Sequence, residues 1–473
     1  MTYRILTFCV CCALLPTVAA ADDGKPNIIV MVTDDQGYAD LGCYGSKTIR
    51  TPHIDRLAAE GTRFTSYYSA SSVCTPSRAA MMTGRYPKRC GATGVLFPRS
   101  TTGLSPDEIT IAELLKAKGY ATTCIGKWHL GHQTQYMPMR QGFDSFYGIP
   151  YSNDMSISKE FDIAEDVLLV GDCTMEQLKS DRDRYLAEYQ SLRNRVPLLR
   201  GNTIIEYPVD QTTLTAKYTR EAVKFIKAHK SEPFFLYLPH TMPHRPIHAS
   251  ADFLGKSGAG VYGDAVQEID WCVGRILKTL EANGLARNTL FVFTSDNGPA
   301  GGAGGSAAPL RGGKFTTWEG GHRVPMVMWG PGIVASGRTC DAIVMAMDFL
   351  PTIASLVGAE VPTDRVIDGR NILPLVQGDG AAKPPHDTFY YYRANGAEIE
   401  GIRMGDWKYL RNKDRKAGDT EPVPRLFNLA DDIGETTNLI DRHPEKAEQL
   451  KQTMRAFDVT LENTANTGPS RAE

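Results

Sequence analysis

Four apolar runs in this chain are each followed at once by polar residues able to do chemistry, and helical stretches separate them. Pro26–Val32 leads into Asp34-Asp35, Tyr120–Ile125 into Lys127 and His129, Pro233–Leu238 into His240 and His244, and Leu290–Thr294 into Asp296-Asn297. Short β-branched apolar runs of this kind read as buried strands. Asp107–Lys118 stopped by Gly119, Thr215–His229, and Ala265–Ala282 closed by Asn283-Gly284 read as helices. Strands alternating with helices predict an α/β fold, a mostly parallel sheet covered on both faces. Ligands in such sheets gather beyond the carboxyl ends of the strands. Four distant segments are therefore expected to deliver polar groups to one edge.

After about residue 385 the pattern changes. Phe389–Arg393, Ile402–Met404, Trp407–Leu410 and Leu426–Leu429 read as short antiparallel strands and Pro444–Phe457 as a terminal helix. This divides the chain into a main domain over residues 22–385 and a smaller α+β domain over 386–473. Gly298–Gly313 is too rich in glycine to lie inside an element. At the start, Arg4, the apolar run Ile5–Leu15, Pro16 and the small residues Val18-Ala19-Ala20-Ala21 describe a cleaved signal peptide over residues 1–21. The run is short for a bilayer span. We expect an exported protein, periplasmic or secreted, with no stable membrane span. A net charge of −2 without a basic cluster argues against nucleic-acid binding.

Cleavage would remove Cys9, Cys11 and Cys12 and leave Cys43, Cys74, Cys90, Cys124, Cys173, Cys272 and Cys340. An odd number leaves at least one unpaired, and Cys74 is assigned that place; the pairing of the other six stays open. Among these seven no zinc-type spacing occurs. Asp34, Asp35, Asp296 and Asn297 form a hard, oxygen-only set that suits Ca²⁺ or Mg²⁺. Either pair alone reads as turn or cap chemistry; two pairs at strand ends favour a metal. Cys74 opens Cys74-Thr75-Pro76-Ser77-Arg78, where Pro76 fits a first helical turn. That puts Cys74 at a helix N-terminus, which favours an anion. A thiolate, however, is a poor partner for a hard cation.

Cys74-x-Pro76-x-Arg78 with Thr83-Gly84-Arg85 resembles the signature of the type I sulfatases, and Tyr151–Asp154 with the lysine segment Leu310–Pro325 leans toward the arylsulfatase A and N-acetylgalactosamine-6-sulfatase branch. Further segments match in order: Asn27–Gly37, Gly126–Gly131, Tyr151–Asp154, Phe234–Pro246, Thr294–Gly298 and Leu310–Pro325. The resemblance implies an alkaline-phosphatase-like mixed sheet in a catalytic domain and a maturation enzyme that converts Cys74 to formylglycine. One hydroxyl of the hydrated aldehyde then attacks sulfur, and the other expels sulfate from the covalent intermediate by C–O cleavage. It implies one Ca²⁺ held by Asp34, Asp35, Asp296, Asn297 and the modified Cys74. Arg78 would support the hydrate, and Lys127 and Lys314 would grip sulfate. His129 would deprotonate the second hydroxyl and His244 protonate the leaving alcohol, while Asp35 or Asp296 would help activate the attacking hydroxyl. His244 is chosen over His240 and His248, which read as a surface cluster. The expected substrate is a sulfated carbohydrate or an aryl sulfate, with Tyr151, Asn153, Asp154, His248 and Arg323 as candidate specificity residues. In place of the family's late Asp-Pro stands Asp431-Asp432-Ile433-Gly434, which puts one C-terminal turn in doubt.

Two other readings compete. A phosphate or phosphonate ester hydrolase on the same scaffold would use similar charges, though a zinc phosphatase would want more histidine ligands and Ser or Thr at 74. A non-catalytic protein that binds sulfated glycans would not need Arg78, Lys127, His129, His244 and Lys314 together.

Overall fold

The computed structural model describes residues 24–464 except Ala397. The expected signal peptide, residues 1–21, lies outside the described residues. The centre of the main sheet is Asn27–Thr33, parallel to Thr289–Ser295 on one side and to Phe234–Pro239 on the other. Ala121–Lys127 and Ser145–Ile149 extend the parallel run. Ile28 to Val32 and Phe234 to Leu238 are fully buried. Strands covered on both faces have no solvent side to mark, which is why they read as continuous apolar runs.

The flanks make the sheet mixed and bring it to eleven strands. On one side Met326–Trp329 runs antiparallel to Thr289–Ser295, followed by Thr62–Phe64 and Arg338–Cys340. On the other come Leu198–Arg200, Thr203–Tyr207 and Asp162–Leu169. Helices Pro52–Glu60, Leu214–Ala228 and Gly260–Ala282 pack together on the sheet, and Cys74–Thr83, Ile111–Ala117 and Phe349–Leu356 form a second packed group.

Two helix starts differ from expectation. The helix expected from Asp107 begins at Ile111, because Thr110 and Glu113 close a capping box: Glu113 N–H donates to Thr110 Oγ1 at 3.2 Å and Thr110 N–H to Glu113 Oε2 at 2.9 Å. The helix expected from Ala265 begins at Gly260. Gly260 and Gly263 are poor helix formers, but burial of Tyr262 between them anchors the extra turn.

Beyond the main sheet, Thr388–Tyr392, Ile399–Met404, Trp407–Asn412 and Val423–Asn428 form an antiparallel sheet in chain order, with helix Pro444–Thr464 against it. The turn without Asp-Pro still closes: Asp432 Oδ2 accepts the N–H groups of Thr436 and Thr437, each at 2.8 Å. Buried side chains join the two sheets. Lys408 Nζ pairs with Glu319 at 3.0 Å and Glu435 at 2.7 Å, all three wholly enclosed. The seven cysteines from Cys43 to Cys340 are all free thiols. Among the described residues no helix is long and apolar enough to cross a membrane.

Candidate active site

Because the five central strands are parallel, their carboxyl ends share one edge, and the chain leaves that edge through Asp34-Asp35, Lys127-Trp128-His129, Ser152-Asn153, His240–His244 and Asp296-Asn297. Helix Cys74–Thr83 is buried along its whole length and starts at the same place, without a side-chain cap. Its first-turn amides are left to whatever anion sits there.

Arg78 ties the edge together from inside this helix. Its Nε donates to Asp296 Oδ2 at 2.9 Å, its Nη1 to Lys127 O at 2.6 Å, and its Nη2 to Asp34 Oδ2 at 3.4 Å. Lys127 Nζ also donates to Asp34 Oδ2, and to Ser152 Oγ at 3.2 Å. Lys314 Nζ donates to Asp35 at 2.8 Å. Its glycine-rich loop is pinned: Lys314 N–H donates to Pro299 O at 3.0 Å, and Phe315 N–H to Ser72 O at 3.1 Å, two residues before Cys74. Gly298 makes the close approach possible, since a β-carbon there would lie 1.8 Å from Gly320 O.

The charges divide the two buried aspartates. Burial alone would raise both carboxyls. Lys127, His244, Arg78 and Lys314 overcome that for Asp34 and hold it well below the usual range. Asp296 goes up, because burial and the Asp34 charge outweigh Arg78 and Lys127. Burial also raises the Cys74 thiol, against the pull of Lys127 and Lys314. An unaltered Cys74 is therefore a protonated thiol near neutrality and a weak nucleophile.

The two histidines carry opposite proton arrangements. His129 Nε2 lies 2.8 Å from Leu96 O, an acceptor only, so Nε2 carries hydrogen. Its Nδ1 is buried, has no partner among the described residues, and holds a bare lone pair. Burial and the charges of Lys127 and Arg78 push this imidazole well down, so it stays neutral. His244 is set by Asn153. The Asn153 amide donates to Gln211 Oε1 at 2.8 Å and Pro246 O at 2.9 Å, which turns Oδ1 toward His244 Nδ1 at 2.9 Å. Nδ1 thus donates, and Nε2 points to the Asp35 side, 3.8 Å from Oδ2. Burial and Lys314 lower His244, opposed by Asp34 and Asp35.

Asp34 Oδ1 and Asn297 Oδ1 are buried and without a hydrogen-bond partner among the described residues. Asn297 Nδ2 donates to Asp35 Oδ1 at 2.7 Å, which leaves its oxygen free for another partner. Orphaned oxygens beside two more carboxylates are a costly arrangement unless a cation meets them. The set fits a hard divalent ion. Asp34, Asp35 and His244 also form a group whose nearest ligand atoms lie within 4.8 Å of one another, but the oxygen donors carry the stronger case for such a cation.

A cleft of about 660 Å³ opens over Asp35, His244 and Lys314. The family model described as Sulfatase matches residues 26–359, and that of the N-sulphoglucosamine sulphohydrolase C-terminal region matches 313–460. The chain belongs to the sulfatase family. As a sulfatase it hydrolyses sulfate esters. It is 39% identical to steryl-sulfatase of Rattus norvegicus, over 95% of this chain and 91% of that one. It is 37% identical to arylsulfatase A of Bos taurus, over 94% and 89%. The crystal structure of Ps i-CgsB in complex with k-i-k-neocarrahexaose superposes with a TM-score of 0.78 at 33% identity, covering 94% of this chain and 95% of that one.

Within this sulfatase, the six residues expected for catalysis and the four oxygen ligands all lie on one edge. His240 corrects the surface reading, being wholly buried against Tyr218 with both ring nitrogens unpartnered among the described residues. Arg323 is also misplaced by expectation. It donates to Thr65 O at 2.7 Å and faces Glu319, away from the cleft. Asp154 lines the cleft, whereas Asn153 sits behind His244 as its orienting partner. Ser152, hydrogen-bonded to Lys127 and within 3.4 Å of both His244 nitrogens, was missed. Its signal lay in the strand Ser145–Ile149, which reads too weakly to announce a loop at the edge.

Proposed function

We propose that the sulfatase reaction runs on Cys74 converted to formylglycine, beside one Ca²⁺, with the sulfate ester of a carbohydrate as substrate. Asp34, Asp35, Asp296 and Asn297, together with an oxygen on residue 74, would hold the ion. The observation that carries this reading is the pair of orphaned oxygens on Asp34 and Asn297 next to a thiol that burial keeps protonated. The hydrated aldehyde would supply the oxygen nucleophile that the thiol cannot, and the cation would stabilise charge on it and on sulfate.

The protein's own residues take the remaining work. Lys127 and Lys314 neutralise the sulfate oxygens where charge develops. Both now rest on Asp34 and Asp35, so they are positioned before substrate arrives. Arg78 locks Asp34, Asp296 and the carbonyl of Lys127 into one frame. His244, fixed through Nδ1 by Asn153, presents Nε2 to the leaving oxygen; protonated there, it passes a proton to the alcohol. His129, with Nδ1 bare and neutral, accepts a proton at that atom in the second half of the reaction. A carbohydrate is favoured by the polar cleft wall of Asp154, Arg193, Asn194 and Arg245. The oligosaccharide held by Ps i-CgsB points the same way.

Mass spectrometry of the tryptic peptide Phe64–Arg78 from exported protein tests the centre of this reading. An aldehyde mass at residue 74 is expected. An unmodified thiol in fully active enzyme refutes it. Release of phosphate from 4-nitrophenyl phosphate faster than sulfate from 4-nitrophenyl sulfate would favour a phosphohydrolase instead.

A further inference from the structure

We propose that the cleft wall selects a carbohydrate sulfate carrying a second anionic group, with Arg245 pairing to that group and Phe315 forming the platform under the sugar ring. This rests on the carbohydrate reading above and deepens it.

The charges of the cleft identify Arg245. Lys314 is answered by Asp35, and Arg193 by Asp154 at 2.9 Å. Among the described residues no carboxylate pairs with Arg245, whose recorded hydrogen bond runs from Nη2 to Gly301 O at 3.2 Å. A guanidinium has five N–H donors in a planar fork that matches sulfate or carboxylate bidentately. Solvated arginines are ordinary; the placement of this one is not. It directly follows His244, and Asn153 bonds to the carbonyl of Pro246 just beyond it. Gly301 belongs to the loop whose Pro299 carbonyl receives Lys314 N–H. Arg245 is thus held between the segment that protonates the leaving group and the segment that grips sulfate. It lines the same cleft as His244 and Lys314, where a part of the substrate next to the reacting sulfate would meet it.

Phe315 supplies the second observation. It is 59% exposed and adopts φ 68°. A bulky side chain in the left-handed region is an outlier; the ring gains little from burial, and Lys314 Nζ lies 5.5 Å from its centroid. The residue before it grips sulfate, and its own N–H holds the backbone to Ser72. The ring lines the cleft beside Ala300 and Pro246. One apolar strip facing guanidinium and amide groups matches a sugar, with a C–H face on one side and hydroxyls and anions on the other. A fused apolar ring system would offer Arg245 no partner.

The test uses mature wild-type protein on a panel of carrageenan- and glycosaminoglycan-derived sugars, each offered with one and with two sulfates. We expect a higher kcat/KM on disulfated members. In Arg245→Ala the ratio of disulfated to monosulfated kcat/KM should fall at least about tenfold, through KM, with partial recovery in Arg245→Lys. Phe315→Gly should raise KM for every sugar about tenfold while Tm holds or rises, since glycine relieves the left-handed backbone. Equal rates on both sets, a ratio unmoved by Arg245→Ala, or hydrolysis of 4-nitrophenyl sulfate with no disulfated sugar accepted would each overturn the proposal. Full activity on 4-nitrophenyl sulfate from protein with an unmodified thiol at residue 74 would instead overturn the formylglycine reading behind the proposed function.

Discussion

Lys408→Met removes the cation from the joint between the two sheets, and the structure gives the size of the effect. Lys408 Nζ lies 3.0 Å from Glu319 Oε1, 2.7 Å from Glu435 Oε1 and 3.0 Å from Thr317 O, with no solvent reaching any of the three charged side chains. Burial alone would raise Glu319, but Lys408, Arg323 and Arg403 hold it well below the carboxylate range. Glu435 is pushed up to about 7 by burial and by the charge of Glu319, against the pull of Lys408. Without Lys408, two enclosed carboxylates face each other and one must take a proton. Breaking such a pair costs about 3–5 kcal/mol. For a chain of this size the unfolding entropy is of order 0.9 kcal/mol/K, so Tm should drop by about 3–6 °C at pH 8. A raised carboxyl binds more protons folded than unfolded, so its contribution falls as pH climbs from the unfolded value toward the folded one. In the variant Glu435 loses the pull of Lys408 and is raised further, so the Tm gap to wild type should be widest above pH 7 and narrow toward pH 5. Adding Glu435→Gln should restore more than half of the loss. Thermal melts across pH 5–8 are the assay. A gap under about 1 °C at pH 8, or one that does not change with pH, refutes the argument.

Three other outcomes follow from the site. His244→Gln should lose about 10²–10⁴ in kcat on a sugar sulfate and much less on 4-nitrophenyl sulfate, whose phenolate leaves without a proton; equal losses would show that His244 is no acid. Asn153→Ala should lower kcat about 10–100-fold and displace the alkaline limb of the pH–rate profile, because the tautomer of His244 is no longer fixed; an unchanged profile would make Asn153 structural only. EGTA should lower both activity and Tm, and Ca²⁺ at about 100 times its Kd should return about 2.7 kcal/mol of stability. If Tm does not respond to either, the oxygen cluster of Asp34, Asp35, Asp296 and Asn297 holds no exchangeable ion.

How far the sequence announces this depends on how each element is buried. The central strands were legible because burial on both faces demands unbroken apolar runs, and Asp34, Lys127 and Asp296 follow from where those runs stop. Asp162–Leu169 is half-exposed, and Leu198–Arg200 is three residues long, so neither writes a period into the chain. The C-terminal sheet was legible from its succession of short strand-like runs after residue 385, but its joint was not. Glu319, Lys408 and Glu435 are far apart in sequence, and each alone looks like surface charge. The roles of His129 and His244 were assigned by resemblance to a family. Their proton arrangements follow from Leu96 O and Asn153, which no spacing rule connects to them.

Backbone geometry gives an independent mark of the site. Among the described residues, six other than glycine have positive φ: Asp35, His129, Asn194, Phe315, Asn395 and Glu435. Four of these touch the functional edge. Asp35 and His129 come two residues after Thr33 and Lys127, where their strands end, and Asn194 and Phe315 line the cleft. A left-handed residue just past a strand turns the chain sharply, so its side chain folds back over the sheet edge. Each such residue costs of order 1–3 kcal/mol, and it persists only where neighbours over-determine it. Those neighbours are visible: Asp35 N–H reaches Asp296 Oδ1 at 3.2 Å, His129 O accepts from Thr75 Oγ1 at 3.0 Å, and Phe315 N–H holds Ser72 O. Thr75 and Ser72 flank Cys74. The strained turns are therefore fastened to the segment that carries the reactive residue, and substrate meets a site whose groups are already in place.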